Sequence, residues 1–166
     1  MFYDLYIFDV DGTLAERDGT RLLPGVAEWF AANQAAVALA TNQGGVGLRY
    51  WMESAGFGNP ENYPTDTQVL WRLRGLCDQL RLPYTAINVC FAYQSKAGNW
   101  SPTPSRVENE AWWDPDCRKP AAGMLLDAMA YVEADRAVMV GDSEEDRLAA
   151  EAAGIDFVHA AEFFGR

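Results

Sequence analysis

Two carboxylates one residue apart, Asp9 and Asp11, followed by Gly12 and Thr13, close the apolar run Tyr6-Ile7-Phe8-Asp9-Val10-Asp11-Gly12-Thr13-Leu14. Such a pair is poor material for building a fold and good material for chemistry. Residues i and i+2 of a strand share a face, so if the strand ran on, both charges would point the same way and repel. A cation between them answers that repulsion. Hard ions such as Mg²⁺ take oxygen ligands and leave room for a phosphate oxygen and waters. The same residues also suit a plain turn after a strand, and the rest of the chain must decide between the two readings.

For the carboxylates to act, other elements must hold them. Residues 3–8 are rich in β-formers and too short for an ordinary helix, which predicts a buried strand delivering Asp9 and Asp11 at its carboxyl end. Apolar runs then alternate with helical patterns: 26–32 helix, 35–40 strand, 67–80 helix, 86–91 strand, 121–132 helix, 137–140 strand, 144–153 helix ending at Gly154, and 157–159 strand. Strands alternating with helices imply an α/β, doubly wound, mainly parallel sheet, with ligands in the crevice beyond the strand carboxyl ends. Three strand ends carry polar residues: Asp9 with Asp11, Thr41 with Asn42, and Asp142 with Ser143. Residues 44–66 and 94–118 break the alternation with glycines, prolines and Trp112-Trp113, and read as long loops walling the substrate crevice.

Composition bounds the function. The 166 residues suit one domain, with 49% hydrophobic content for one core. No apolar run approaches the roughly 20 residues of a membrane span, and no basic segment precedes an apolar one at Met1, so a soluble, unexported protein is expected. The three cysteines, Cys77, Cys90 and Cys117, are odd in number and lack CxxC spacing, which argues against a disulfide framework and for a reducing cytoplasm. The net charge of -11, from 24 acidic against 13 basic residues, disfavours nucleic acid, whose binding draws on phosphate neutralisation by Lys and Arg.

Each further motif has an ordinary structural role open to it. Thr41-Asn42 suits a cap or turn, Lys119-Pro120 a helix start, and Ser143-Glu144-Glu145-Asp146 a capping box. Their order is more informative. Asp-x-Asp-Gly-Thr after the first strand, Thr41-Asn42 after the second, Lys119-Pro120 opening a later helix and Gly141-Asp142-x-x-x-Asp146 after the fourth resemble the haloacid dehalogenase superfamily of phosphohydrolases over essentially the whole chain. The resemblance implies Asp9 as the nucleophile that forms an aspartyl-phosphate and Asp11 as the general acid/base. It implies Thr41 and Lys119 on the phosphoryl oxygens, with Lys119 also steadying Asp9. Mg²⁺ would be held by the Asp9 and Asp142 carboxylates and the Asp11 backbone carbonyl, leaving the Asp11 side chain free for proton transfer. Asp146 would orient metal waters or pair with Lys119. Thr13-Leu14-Ala15 and residues 16–21 match the elements that follow the first motif and gate the site in this superfamily.

No room exists for a large insertion after the first motif, so the chain looks capless or nearly so. Thr41-Asn42-Gln43-x-Gly45 with Arg118-Lys119-Pro120-x-x-Gly123-Met124 resembles the branch of heptose bisphosphate phosphatases, histidinol phosphatases and the phosphatase half of polynucleotide kinases. The first two carry a four-ligand zinc loop of Cys-x-His and Cys-x-Cys. Here Ala92 and Pro115 replace two ligands, leaving Cys90 and Cys117 as buried thiols, so no zinc is expected. Arg118, with Asn42 beside Thr41, would contact the substrate by resemblance. Arg49, Tyr50 and Trp51 could add an aromatic wall, while His159 packs or faces water. The expected substrate is a small phosphorylated metabolite. A nucleic-acid 3′-end phosphatase and a phospho-accepting module without turnover are the alternatives.

Overall fold

The computed structural model describes residues 2–166. Strand β1 (Leu5–Phe8) leads through α1 (Val26–Ala32) to β2 (Val37–Asn42), α2 (Gly45–Ala55), α3 (Asp66–Leu80) and β3 (Ile87–Cys90). The chain continues through α4 (Gly123–Val132), β4 (Ala137–Gly141), α5 (Glu144–Ala153), β5 (Asp156–His159) and α6 (Ala160–Phe164). All neighbouring strands pair in parallel, in the order β3-β2-β1-β4-β5. This is the α/β doubly wound sheet that the alternation predicts. The chain winds outward from β1 in both directions, which opens a crevice at the carboxyl ends of β1 and β4.

Period-two alternation in β1 divides the core into two layers. Leu5 and Ile7 pack with Met124, Leu125 and Ala128 of α4 and with Ala149 and Ala150 of α5. Phe8 faces the other layer, which contains Leu39 and the α3 residues Val69, Leu73 and Leu76. There Phe8 meets Trp29, Phe30, Phe163 and Phe164 at ring separations of 5.3, 5.4, 5.6 and 5.8 Å. Truncating so enclosed a ring costs about 3–5 kcal/mol. This aromatic cluster anchors the strand that carries Asp9.

Residues 44–66 are not simply a loop: they contain α2 and a 3-10 turn at Pro60–Asn62. Gly44, Gly45 and Gly47 weaken the helical signal, yet Gly47 is where α2 approaches the end of β3, since a Cβ there would lie 2.2 Å from the Phe91 carbonyl. Helix α6 was also not anticipated, being too short to show a period. Helix α3 begins with a capping box between Thr65 and Gln68. Residues 94–118 are largely irregular, with 3-10 turns at Glu110–Trp113 and Pro115–Cys117. Trp113 is buried against Phe91 and Tyr50, at ring separations of 5.2 and 6.2 Å, so it covers the core.

The expectation of free thiols is corrected. Cys90 and Cys117 form a disulfide, with an S–S distance of 2.04 Å and Cα atoms 5.6 Å apart. The end of β3 and the turn before Lys119 meet in space across a sequence separation of 27, which spacing rules for short motifs do not capture. Cys77 is a buried free thiol in α3, and burial pushes it up to about 11. Among the described residues no helix is long and apolar enough to cross a membrane.

Candidate active site

Two glycines allow the strand ends to converge. Gly12 has φ +79°, and a Cβ there would lie 2.1 Å from Asp142 Oδ2, so a side chain would bar the β1 loop from approaching β4. At Gly141 a Cβ would lie 2.3 Å from Asp146 Oδ2. That clearance lets Asp146 fold back onto the start of α5. There its Oδ2 accepts from the Asp142 and Ser143 backbone N–H groups at 3.1 Å each and from the Ser143 hydroxyl at 2.9 Å.

The first carboxylate, Asp9, faces the α4–α5 side. Lys119 Nζ donates to Asp9 Oδ1 at 2.9 Å, to Asp146 Oδ1 at 2.6 Å and to the Ala40 carbonyl at 2.8 Å. An ammonium has three protons, and all three are engaged, so here Lys119 steadies Asp9 and has none left for a phosphoryl oxygen. Asn42 holds Lys119 in turn. Its Nδ2 donates to the Lys119 carbonyl and its Oδ1 accepts from the Lys119 N–H, both at 2.9 Å. The Thr13 hydroxyl donates to Asp9 Oδ2 at 3.3 Å.

Burial pushes the Asp9 carboxyl up to about 7, and neighbouring Asp146 adds to the rise while the Lys119 ammonium opposes it. Burial disfavours the Lys119 ammonium, but Asp9 and Asp146 outweigh it and raise its pKa. Asp9, Asp142 and Asp146 can bring ligand oxygens within 4.8 Å of one another. Of these, Asp146 is committed to Lys119 and its cap, whereas Asp142 is exposed and faces Asp9. The Asp11 backbone carbonyl accepts no hydrogen bond among the described residues. An all-oxygen donor set bearing surplus negative charge fits a hard divalent cation.

The second carboxylate departs from expectation. Asp11 does not share a face with Asp9 but turns to the α2–α3 side, because the strand stops at Phe8 and the backbone folds into a turn in which Thr13 and Leu14 N–H groups donate to the Val10 carbonyl. Its side chain is held rather than free. Arg72 Nη2 of α3 pairs with Oδ1, the Asp18 N–H donates to Oδ1 at 2.9 Å, and Gln43 Nε2 donates to Oδ2 at 2.8 Å. Burial acts to raise its pKa, but Arg72, the Asp18 amide and Gln43 together hold it below the usual value. Gln43 also donates to Thr41 Oγ1 at 2.9 Å, so the Thr41 hydroxyl proton is free to point elsewhere.

These groups line one cavity of about 890 Å³ that holds Asp9, Asp11, Thr41, Lys119, Asp142 and Arg72. Asn62, Tyr63 and Pro64 supply a wall from the 44–66 segment. Arg49, Tyr50 and Trp51 do not reach it: Arg49 donates to the Tyr63 carbonyl, Tyr50 packs on Trp113, and Trp51 lies against Phe57. Arg118 lies one layer behind the wall. Its guanidinium donates to the Ala92 carbonyl at 3.1 Å and fills the space beside Gly44. His159 caps α6, with Nδ1 accepting from the Ala161 N–H. A larger groove of about 1240 Å³ lies between α3 and α4, near the amino ends of β2 and β3, and is lined by none of Asp9, Asp11, Thr41, Asn42, Arg118, Lys119, Asp142 and Asp146. Sequence reasoning missed Arg72 altogether and gave Gln43 no role. Arg72 sits among ordinary helix residues, and only the fold brings it to Asp11.

Residues 116–161 match the HAD-hydrolase-like family. Over 42 residues the chain is 57% identical to the D-glycero-β-D-manno-heptose-1,7-bisphosphate 7-phosphatase of Vibrio cholerae serotype O1, a stretch covering 24% of this chain and 23% of that protein. The chain thus aligns with about a quarter of the curated relative. Two structures of glycerol phosphate phosphatase Rv1692 from Mycobacterium tuberculosis, with calcium and with magnesium, overlay 93% of this chain at 16% identity. The overlays cover 65% and 67% of those chains, with TM-scores of 0.46 and 0.45. The family match spans residues 116–161, which include Lys119, Asp142 and Asp146, while Asp9, Asp11 and Thr41 lie outside it; the chain is similar to that family over this part of its length.

Proposed function

We propose that the chain is a phosphomonoesterase that works through an aspartyl-phosphate on Asp9 and acts on a small phosphorylated metabolite. The observation that carries this reading is the placement of Asp9: buried at the end of β1, steadied by Lys119 and facing Asp142. Asp9 attacks phosphorus as the ester P–O bond breaks, and Asp11 gives its proton to the departing oxygen. Asp11 then takes a proton from water as that water attacks phosphorus, which releases inorganic phosphate and regenerates Asp9. The Thr41 hydroxyl donates to a phosphoryl oxygen while accepting from Gln43. Asp9, Asp142 and the Asp11 carbonyl would hold Mg²⁺, which when bound offsets phosphoryl charge. The net charge of -11 fits a compact polar substrate better than an oligonucleotide. The cytoplasmic expectation rested on free thiols, and the Cys90–Cys117 disulfide removes that support.

Asp9→Asn tests the activity. It should reduce Mg²⁺-dependent hydrolysis of p-nitrophenyl phosphate to background, and wild-type rates in that variant would end the proposal. Persistent labelling by acetyl phosphate without turnover would instead make the chain a phospho-accepting module.

A further inference from the structure

We infer that Arg72 is the positioning residue for proton transfer, fixing the one free site on the Asp11 carboxyl against the phosphoryl position; this rests on the phosphatase reading above. A carboxylate offers about four in-plane acceptor sites. Three are taken here, two on Oδ1 by Arg72 and the Asp18 N–H and one on Oδ2 by Gln43. The remaining site is on Oδ2, beside the amide that also bonds Thr41 Oγ1. Gln43 thereby ties the free site of Asp11 to the hydroxyl that meets the phosphoryl group, and Arg72 ties the opposite oxygen to α3.

Arg72 is itself immobilised. Its Nε donates to the Gly19 carbonyl at 2.7 Å, its Nη2 reaches the Glu16 carbonyl at 3.4 Å, and its side chain is 12% exposed. Gln79, two turns along α3, donates to the Thr20 carbonyl at 3.0 Å and holds the same loop. The guanidinium fork bonds carboxylate and loop carbonyl at once, which a lysine ammonium on a flexible stem does not reproduce. The arrangement also survives protonation. With a proton on the free Oδ2 site, Oδ1 still accepts from Arg72 and Asp18, so one geometry serves both transfers: from Oδ2 to the leaving oxygen as P–O breaks, and from water to Oδ2 as water attacks. Of the other cations lining the cavity, Lys119 has every proton engaged, and Arg17 is exposed with no carboxylate partner among the described residues.

Leaving-group dependence tests this. Glycerol phosphate leaves as a poor alkoxide that needs a proton, whereas p-nitrophenolate does not, and kcat/KM reports the steps through leaving-group departure. In Arg72→Ala, kcat/KM for glycerol phosphate should fall about 100-fold, within the range of general acid catalysis, while that for p-nitrophenyl phosphate changes less than about threefold. Because water activation also suffers, p-nitrophenol should appear in a burst. Arg72→Lys should fall between Arg72→Ala and wild type, and it carries the test should Arg72→Ala fail to fold. Equal losses on both substrates would reduce Arg72 to a structural role. A rise in KM alone, with kcat unchanged, would make it a substrate-binding residue. Either result overturns the inference. Asp9→Asn run alongside separates the failures, since a dead Asp9→Asn with equal losses at Arg72 leaves the phosphatase reading standing.

Discussion

Asp9 and Asp11 are two residues apart and live in different environments. Asp9 lies against the α4–α5 layer, pressed by burial toward its neutral form and matched by a lysine whose every proton is committed. Asp11 lies against the α2–α3 layer, at the rim, in the grip of an arginine and an amide that favour its charged form. The repulsion expected of an i, i+2 pair is relieved by the turn at residues 10–15, which gives each carboxylate its own cation. A single backbone reversal therefore separates a buried carboxyl pressed toward its neutral form from a rim carboxylate held in its charged form.

The contrast breaks most visibly at Lys119. Lys119→Met leaves Asp9 and Asp146 buried without their cation, which should cost about 3–5 kcal/mol of stability in urea melts. Losing roughly 4 kcal/mol of charge support for Asp9 and the phosphoryl group corresponds to about a thousandfold fall in kcat/KM. If activity holds within tenfold, Asp9 does not depend on that cation and the two environments are less distinct than their geometry.

A smaller effect separates the two carboxylates by pH. Asp9 is raised from 3.8 to about 7, so the stability it confers by holding a proton is fully present below its unfolded value and is lost as pH rises through about 7. Asp11 is lowered, so its contribution is present above its unfolded value and is lost only in acid. Between pH 6 and 8 only Asp9 should respond. Mg²⁺ competes with that proton, so the rise in Tm on adding Mg²⁺ should be several degrees at pH 8 and smaller at pH 6. Asp9→Asn should flatten the dependence. A Mg²⁺ response equal at both pH values would show that Asp9 does not bind the ion.

The smallest effect concerns Arg118, which touches neither carboxylate. With its guanidinium on the Ala92 carbonyl behind the cavity wall, Arg118→Ala should change kcat/KM by less than about threefold, below 1 kcal/mol. A tenfold rise in KM would return it to the substrate.

The two environments differ in how far the sequence discloses them. Asp9, Thr41 and Asp142 sit at strand ends, so the alternation of elements locates them and their chemical types mark them, whereas Lys119 lies in the turn before α4 rather than opening the helix as expected. The environment of Asp11 depends on Arg72 and Gln43, and nothing in the pattern of α3 distinguishes Arg72 from a solvated helix residue. Helix α2 was hidden by glycines required for close packing, and the Cys90–Cys117 bond by a separation of 27 residues that only the fold closes. Arg118 shows the opposite error, since motif order suggests contact with substrate while its side chain turns to the backbone behind the wall.

The Cys90–Cys117 bond ties the base of the segment between them, with Cα atoms 5.6 Å apart, two residues before Lys119. The segment behaves as a loop on a fixed stem. Lengthening such a loop is cheap, about 0.6 kcal/mol for each doubling, and the stem keeps the disturbance from reaching the lysine. Residues 94–111 do not line the cavity, contrary to the expectation that this loop walls the crevice, and that makes them the natural place for insertion in this protein, where chain can be added while the reacting groups stay as they are.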